Sequence, residues 1–239
     1  MTFSGESSRA NSTSIGTVDA GNMFAFEPNM ADLHKEDVLN SNLLAQLVAD
    51  KRLSRFDDPR AWYGAYGDVL ANLAWRADGL NFKNLRPSSD TFLVKEIVLD
   101  EMRRVLSREQ ERRVEDAIDT LALLPDDEKP VVIFQQFNHI NQENQATSSG
   151  IVNIQFSYSD QSRDGGVFCT SIYMFFGIAC VVDNPIREEF QTNLLDGSIH
   201  IARVSSTLNE DIYNRIRDDV IKKLGEKREE YIAPFGLPA

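Results

Sequence analysis

The chain has 239 residues, of which 42% are hydrophobic and 26% are charged, values typical of a globular protein with one sizeable core. Its 37 acidic and 25 basic residues give a formal net charge of -12, so bulk attraction to nucleic acid or to anionic lipid is excluded. We therefore expect no nucleic-acid partner. Two cysteines are too few for a disulfide framework.

The N-terminal segment predicts neither a leader nor a folded element. It begins MTFSGESSRANSTS, without the basic start and apolar core of a secretion signal. We expect synthesis in the cytoplasm. If the protein acts outside its cell, we expect release by lysis or by a route that does not depend on a cleaved leader peptide. Residues 1–28 start with a Ser, Thr, Asn and Gly-rich stretch and predict a flexible tail, followed by a single α+β domain over residues 29–239.

Four helices are predicted in the first half of the domain. Helical spacing of leucines begins after Glu36, and a second helix is predicted from the cap Asp58 to Gly79, with an aromatic stripe that starts at Trp62. Residues 91–125 predict two more helices, separated by a capping box of Ser107 and Gln110.

In the second half of the domain, hydrophobic residues recur at every second position, as in a β-strand. VVIFQQFNHI and GIVNIQFSYSD predict strands, and the turn SRDGG predicts a hairpin into the apolar run Val167–Val182. That run is shorter than the roughly 18 residues of a spanning helix and rich in β-branched and aromatic residues, so we interpret it as a strand. Because both of its faces are apolar, we expect it at the centre of the sheet.

One or two further strands and a closing helix complete the pattern. EFQTNLLDGSIHIARV predicts the strands, and Thr207 with Glu210 predicts the capping box of the helix. The order predicts an α+β fold with N-terminal helices, a central antiparallel sheet flanked by helices, and a C-terminal helix.

The central strand also carries the candidate site. Small side chains at Ser171, Gly177 and Ala179, on the face that includes Tyr173, predict a cavity that neighbouring residues or an apolar ligand must fill. Cys169 shares this face near the strand end, whereas Cys180 lies on the opposite face. Each cysteine can also be interpreted without a function, as a buried free thiol that packs like a small hydrophobic side chain.

The layout resembles a known family. The helix AWYGAYGDVLANLAW and the strand GGVFC, with helices before the sheet and one helix after it, are similar to the Evf virulence-factor family of insect-gut-colonising enterobacteria. The resemblance implies a non-enzymatic virulence-type protein that carries palmitate in a thioester. The acylated residue would be Cys169, with Cys180 as the fallback, and the partners would be the fatty acyl chain and a host membrane.

Two other functions stay open. A cysteine hydrolase or acyltransferase would use Cys169 with His200, oriented by Asp183 or Asp196. A cytolysin-like protein would damage membranes when its helices leave the sheet and expose the apolar strand. The groupings of His139 with Glu143 and of His34 with Asp32 or Asp37 lack the spacing of a metal site, so we expect no metal.

Overall fold

A large sheet lies between two layers of helices, in a computed structural model that describes residues 15–144, 147–162 and 166–236. The predicted α+β class is confirmed. The helices are α1 (Asp32–Asp50), α2 (Pro59–Asn72), α3 (Val94–Met102), α4 (Arg108–Leu123), α5 (Lys129–Asn138), α6 (Glu210–Tyr213), α7 (Arg217–Leu224) and α8 (Lys227–Tyr231). The strands are β1 (Gly16–Asp19), β2 (Asn22–Phe26), β3 (Trp75–Ala77), β4 (Lys83–Leu85), β5 (Thr91–Leu93), β6 (His139–Asn144), β7 (Thr147–Gln161), β8 (Val167–Ile178), β9 (Glu189–Gln191), β10 (Leu195–Leu208) and β11 (Ile232–Phe235).

Three long strands form the middle of the sheet. The order is β11-β1-β2-β7-β8-β10-β3, with β6 paired to β7 and β4 paired to β10, and the β2–β7 pair is parallel while the others are antiparallel. The predicted β7–β8 hairpin is confirmed, although residues 163–165 of its turn lie outside the described residues. Strand β8 is central, as its two apolar faces predict.

Each face of the sheet has its own hydrophobic core. Helices α3, α4 and α5 cover one face, where Ile172, Met174 and Phe176 of β8 are buried. Helices α1, α2 and α7 cover the other face, where Cys169 and Tyr173 of the same strand are buried. Among the described helices, none combines the length and apolar character needed to cross a membrane.

The predicted tail is wrong where it overlaps the sheet. Within it, β1 and β2 form a buried antiparallel pair, and Val18 and Met23 enter the core. Apolar and polar residues alternate in the two short strands on either side of the Ala20–Gly21 turn. The average composition of residues 1–28 does not reveal this short strand pattern. The predicted tail residues 1–14 lie outside the described residues.

Several element boundaries also differ from the prediction. VVIFQQFNHI falls mainly in helix α5, because Pro130 suits a helix start and Val131 and Phe134 face the core one turn apart. Helix α2 ends at Asn72, and Ala74 then adopts a left-handed φ of 69° that turns the chain into β3.

The C-terminal region is more broken than predicted. Strand β8 ends at Ile178 rather than at Val182. The closing helix is divided into three short helices, capped at the start by Asn209 rather than by Thr207, and β11 follows them at the edge of the sheet.

Candidate functional site

The two faces of the sheet differ sharply in polarity. On the face toward α3–α5, the buried sheet residues are hydrophobic: Val18, Met23, Ala25, Val152, Ile154, Phe156, Tyr158, Ile172, Met174, Phe176, Ile178, Leu195, Ile199 and Ile201. On the face toward α1 and α2, buried polar side chains lie among the apolar ones: Asp19, Asn22, Asn153, Gln155, Ser157, Ser159 and Ser171. The sheet is therefore amphipathic although both of its faces are covered.

Hydrogen bonds connect the polar face to α1 and α2. Asn22 Nδ2 donates to Ser157 Oγ at 3.0 Å and to Asn42 Oδ1 at 3.2 Å, and the Ser157 and Ser171 hydroxyls are 2.7 Å apart. The Tyr66 hydroxyl of α2 donates to the same Asn42 oxygen at 2.7 Å. We call this group of side chains the polar layer.

A second contact anchors the start of α2 to the same face. The Tyr63 hydroxyl donates to Asn153 Oδ1 at 2.6 Å, and Asn153 Nδ2 donates to the Arg55 carbonyl at 2.6 Å. Gln46 of α1 donates to the Asp19 carbonyl at 2.8 Å and accepts from the Gly21 amide at 2.9 Å. Both helices are thus held to the sheet by buried polar contacts as well as by apolar packing.

Cys169 lies at the edge of the polar layer. Its side chain is buried, and Sγ is 3.5 Å from the Ser171 hydroxyl. Burial raises the pKa of the Cys169 thiol to about 11, although hydrogen bonds from Ser171 and Ser157 act in the opposite direction. The thiol is therefore protonated and shielded at neutral pH.

A cavity of about 310 Å³ lies between α2 and β10. Tyr173 lines it, together with Tyr63, Trp75 and Ser206. Ser206 is the register partner of Cys169, so the cavity begins one strand away from the sulfur.

The other predicted cavity residues have different surroundings. Ser171 is occupied by its contact with Ser157, and a side chain added at Gly177 would come within 3.3 Å of Asp196 Cβ. Ala179 lies beyond the end of β8 and is exposed. Among these positions, the volume predicted from small side chains is thus filled at Ser171 and Gly177 by neighbouring protein atoms.

The fallback thiol is in a different environment. Cys180 lies after β8, is only partly buried, and packs against the apolar core under α3–α5. Its pKa is raised, first by burial and then by the charge of Glu188. The two thiols therefore belong to opposite faces of the sheet, as predicted.

The residues of the cysteine-enzyme alternative are not brought together. On β10, His200 is the register neighbour of Phe175, whereas Ser206 is that of Cys169. Six residues of extended strand separate the two positions, about 20 Å at roughly 3.3 Å per residue. His200 Nδ1 instead accepts a hydrogen bond from Arg60 Nη2 at 3.0 Å, and its ring stacks on Phe175. Burial and the charge of Arg60 lower the pKa of His200.

The side chains grouped near His34 as a possible metal site contact other partners instead. His34 contacts Glu210 at 3.0 Å, while Asp37 binds Arg217 at 2.6 Å and Asp32 contacts Lys35 at 3.3 Å. His139 is partly buried and burial lowers its pKa; the side chain of Glu143 lies outside the description. In the described ranges, no group of three or more His, Cys, Asp or Glu side chains could hold a metal ion.

The polar layer is the feature that sequence reasoning missed. The alternation of Asn153, Gln155 and Ser157 along β7 marks a polar face, but it does not say that this face is buried. Asn42 and Gln46 are also buried, on a helix whose leucines indicate only an apolar stripe. The sequence signal for this buried layer would have been polar residues at face-matched positions on both β7 and α1.

The α3–α4 layer is attached in a different way. Helix α4 packs Val114, Ile118 and Leu121 on the apolar core, and its polar contacts with the sheet lie at the rim. Gln110 Nε2 donates to Asp160 Oδ2 at 3.2 Å, and Arg113 Nε is 3.7 Å from Glu27. Helix α3 adds a charged contact, because the buried Glu101 is 3.6 Å from Arg203 of β10 and also pairs with Lys83 of β4. The rest of the contact between this layer and the sheet is mainly buried apolar area.

No protein-family model matches the chain, and neither does any curated protein sequence. Three solved structures are similar in fold. The activated Cyt2Ba monomer from Bacillus thuringiensis subsp. israelensis is 14% identical, with 79% of this chain and 96% of that chain covered and a TM-score of 0.41. A delta-endotoxin is 9% identical, with coverages of 80% and 81% and a TM-score of 0.39.

The third similar structure is the Evf virulence factor, at 14% identity, with 87% of this chain and 83% of that chain covered and a TM-score of 0.35. The similarity to this structure is weak and lies at the level of the fold alone. By their names, these neighbours include a virulence factor and an endotoxin. Identities of 9% to 14% assign no function to this chain.

Proposed function

We propose that this protein acts on lipid membranes, by releasing the α3–α4 layer and placing the apolar face of its central sheet against lipid. The observation that carries the proposal is the amphipathic sheet. Within the described residues, the sheet side chains buried on one face are hydrophobic, whereas the other face carries the polar layer. The exposed Arg203 of β10 shares the apolar face with its register partner Ile172 and pairs with Glu101 of α3. A sheet at a boundary between lipid and water needs this division, because lipid offers no hydrogen bonds to polar side chains.

The lengths of the three central strands fit the thickness of a bilayer. Strands β7, β8 and β10 have 15, 12 and 14 residues. A tilted strand needs about 9–11 residues to cross the hydrocarbon region. Each of the three therefore has the length required, and their neighbours β3, β4 and β6 are short.

The manner of attachment selects which helices leave. Contact with lipid removes the hydrophobic driving force that holds α3 and α4, since lipid tails solvate the same side chains. Hydrogen bonds between α1, α2 and the polar layer keep their strength away from water. The α3–α4 layer is thus the one that a membrane releases most readily.

A reversible lock on α4 tests the proposal. Gln110→Cys and Asp160→Cys, in a Cys169→Ser/Cys180→Ser background, place one thiol on α4 and one on β7 where the native side chains meet at 3.2 Å. A short, reducible bifunctional thiol reagent then joins the two elements. We expect the locked protein to release no dye from phosphatidylcholine vesicles, and the reductant to restore release.

A matched lock on the other layer provides the control. His34→Cys with Glu210→Cys joins α1 to α6, at native side chains 3.0 Å apart. We expect this pair to release dye with and without the reagent. Equal release from the locked α4 protein would overturn the assignment of the moving layer, and absence of release by the unmodified protein at high concentration would overturn membrane action itself.

A fatty acyl thioester on Cys169 is a second proposal, favoured by the cavity that begins at Ser206 beside this residue. The thiolate would take the acyl group from an activated acyl thioester, whose own thiol leaves as the Cys169 thioester forms. Since the thiol is buried, this transfer requires that α2 move away or that the chain has not yet folded. Burial of the chain would then contribute about 0.8 kcal/mol per methylene.

Intact mass before and after neutral hydroxylamine tests the thioester. We expect a hydroxylamine-sensitive increment in the protein from its native host that Cys180→Ser retains and Cys169→Ser loses. An increment lost only in Cys180→Ser would move the attachment to the fallback thiol. An unmodified mass in every sample would remove palmitate from the proposal without affecting the membrane test.

A further inference from the structure

The side-chain carboxyl of Asp19 is fully buried and has no hydrogen-bond partner among the described residues. It ends β1, and its side chain is 0% exposed. Neither carboxyl oxygen is within hydrogen-bond distance of a donor in the described part of the chain. An isolated buried carboxylate is among the most unfavourable groups in a protein interior.

The donors that surround this carboxyl are engaged elsewhere. Gln46 of α1 uses its amide nitrogen on the backbone carbonyl of Asp19, and the Tyr66 hydroxyl of α2 donates to Asn42. Arg55, after α1, makes a two-pronged contact with Asp50 at 3.0 and 2.7 Å. Its remaining terminal nitrogen, Nη1, donates to the Phe137 carbonyl at 3.1 Å.

The other titratable neighbours do not compensate either. The Tyr63 hydroxyl donates to Asn153, and on the C-terminal side the Tyr231 carbonyl accepts from the Ala20 amide. The Tyr231 hydroxyl contacts Lys227 at 3.4 Å. In the part of the chain that the structure describes, Arg55 is the cation whose charge acts on Asp19, and it is already paired with a carboxylate.

Burial raises the pKa of Asp19 well above its ordinary range, against an opposing effect of Arg55. The close approach of Arg55 to Gly21 gives the junction little room to relax, since a Cβ at Gly21 would come within 2.2 Å of Arg55 Nη1. A charge on Asp19 must therefore be solvated by opening the contact between β1, β2 and α1.

We propose that Asp19 is a pH-sensitive latch: its neutral carboxyl allows the β1–β2 pair to close on α1, and its ionisation at higher pH loosens that junction. The latch stands apart from the proposed membrane action, and it holds for the protein in water. Its chemistry is one proton transfer: the O–H bond at Oδ1 or Oδ2 breaks, the electron pair stays on the carboxylate, and water or hydroxide takes the proton.

The direction of the pH dependence follows from linkage. An unfolded aspartate ionises with a pKa of about 3.9, whereas the folded carboxyl stays protonated to higher pH. Between these two values the folded state binds one more proton than the unfolded state. Stability from Asp19 is therefore complete below pH 4, falls as pH rises, and is lost above the pKa of the folded carboxyl.

Asp19→Asn removes the ionisation with little change of shape. We expect the ratio of the unfolding equilibrium constants of wild type and Asp19→Asn to rise about tenfold per pH unit within this window. Urea unfolding from pH 4 to pH 9 measures the ratio. The control, Asp57→Asn, changes an exposed aspartate in the loop before α2 and is expected to leave the ratio flat.

Hydrogen exchange locates the effect. We expect the amides of β1 and β2 to exchange faster with rising pH, beyond the intrinsic base catalysis, in wild type but not in Asp19→Asn. Parallel pH profiles of the two proteins would overturn the latch. If Asp19→Asn does not fold, the infrared band of a protonated carboxylic acid in wild type decides, and its absence from pH 5 upward would also overturn the proposal.

Discussion

Asn153 shows how a single buried amide can connect two structural layers. Its oxygen accepts from Tyr63 and its nitrogen donates to the Arg55 carbonyl, so both ends of the side chain are satisfied. A buried polar group without partners lowers the free energy of unfolding by about 1–3 kcal/mol. The polar layer is therefore compatible with a stable fold only while α1 and α2 keep their hydrogen bonds to the sheet. At the residue scale, the polar layer therefore specifies how these helices dock.

Thiol labelling reports on the same layer. At pH 8, a thiol with a pKa of about 11 is ionised in about one molecule in a thousand, and Cys169 is shielded as well. With a chromogenic disulfide reagent we expect a fast phase from Cys180 and a much slower phase from Cys169. Cys180→Ser should lose only the fast phase. Rapid labelling of Cys169 in that variant would contradict the closed docking of α2.

Helix α4 shows how one element can be well formed and yet weakly attached. Its capping box is complete, because Gln110 N donates to Ser107 Oγ and Ser107 N donates to Gln110 Oε1. Gln110 also reaches Asp160 of β7, so the start of the helix and its rim contact share one residue. Weakening this cap should therefore weaken the docking of the helix on the sheet.

Ser107→Ala tests that link at the scale of the element. Loss of the cap should lower the free energy of unfolding by about 1 kcal/mol and raise the rate of dye release from vesicles. Asp58→Ala is the matched control, because Asp58 caps α2 by accepting from the Ala61 amide at 3.1 Å. It should lose similar stability without faster release. An equal increase in both variants would mean that global stability, rather than α4, controls release.

The comparison of α5 with β7 shows what sequence periodicity can decide. Strand β7 is predicted correctly because its apolar and polar residues alternate over a long stretch. In α5, the run from Val131 to Phe134 is dense in β-branched and aromatic residues, so local propensity favours a strand. Packing against β1, β11 and β7 decides for the helix, and that information is nonlocal.

For the whole molecule, sequence pattern predicts the order of helices and strands and the central place of β8. It does not predict which buried faces are polar, because burial of Asn22 or Gln155 depends on partners far along the chain. The same limit applies to the candidate site. Tyr173 lines a cavity as its strand face suggests, and the register partner of Cys169, Ser206, also lines it. Contacts from Ser157 and Asp196 fill the space predicted at Ser171 and Gly177.

The pairing of β1 with β11 has a mechanical consequence. Gly16 lies opposite Phe235, and the Ile15 amide donates to the Phe235 carbonyl at 2.9 Å, so the two ends of the described chain meet at one point of an antiparallel ladder. Tension applied at these two residues would load the hydrogen bonds one after another, as in unzipping, rather than all together in shear. Under force, the first rupture would therefore occur at the outer edge of the sheet, leaving β7, β8 and β10 intact.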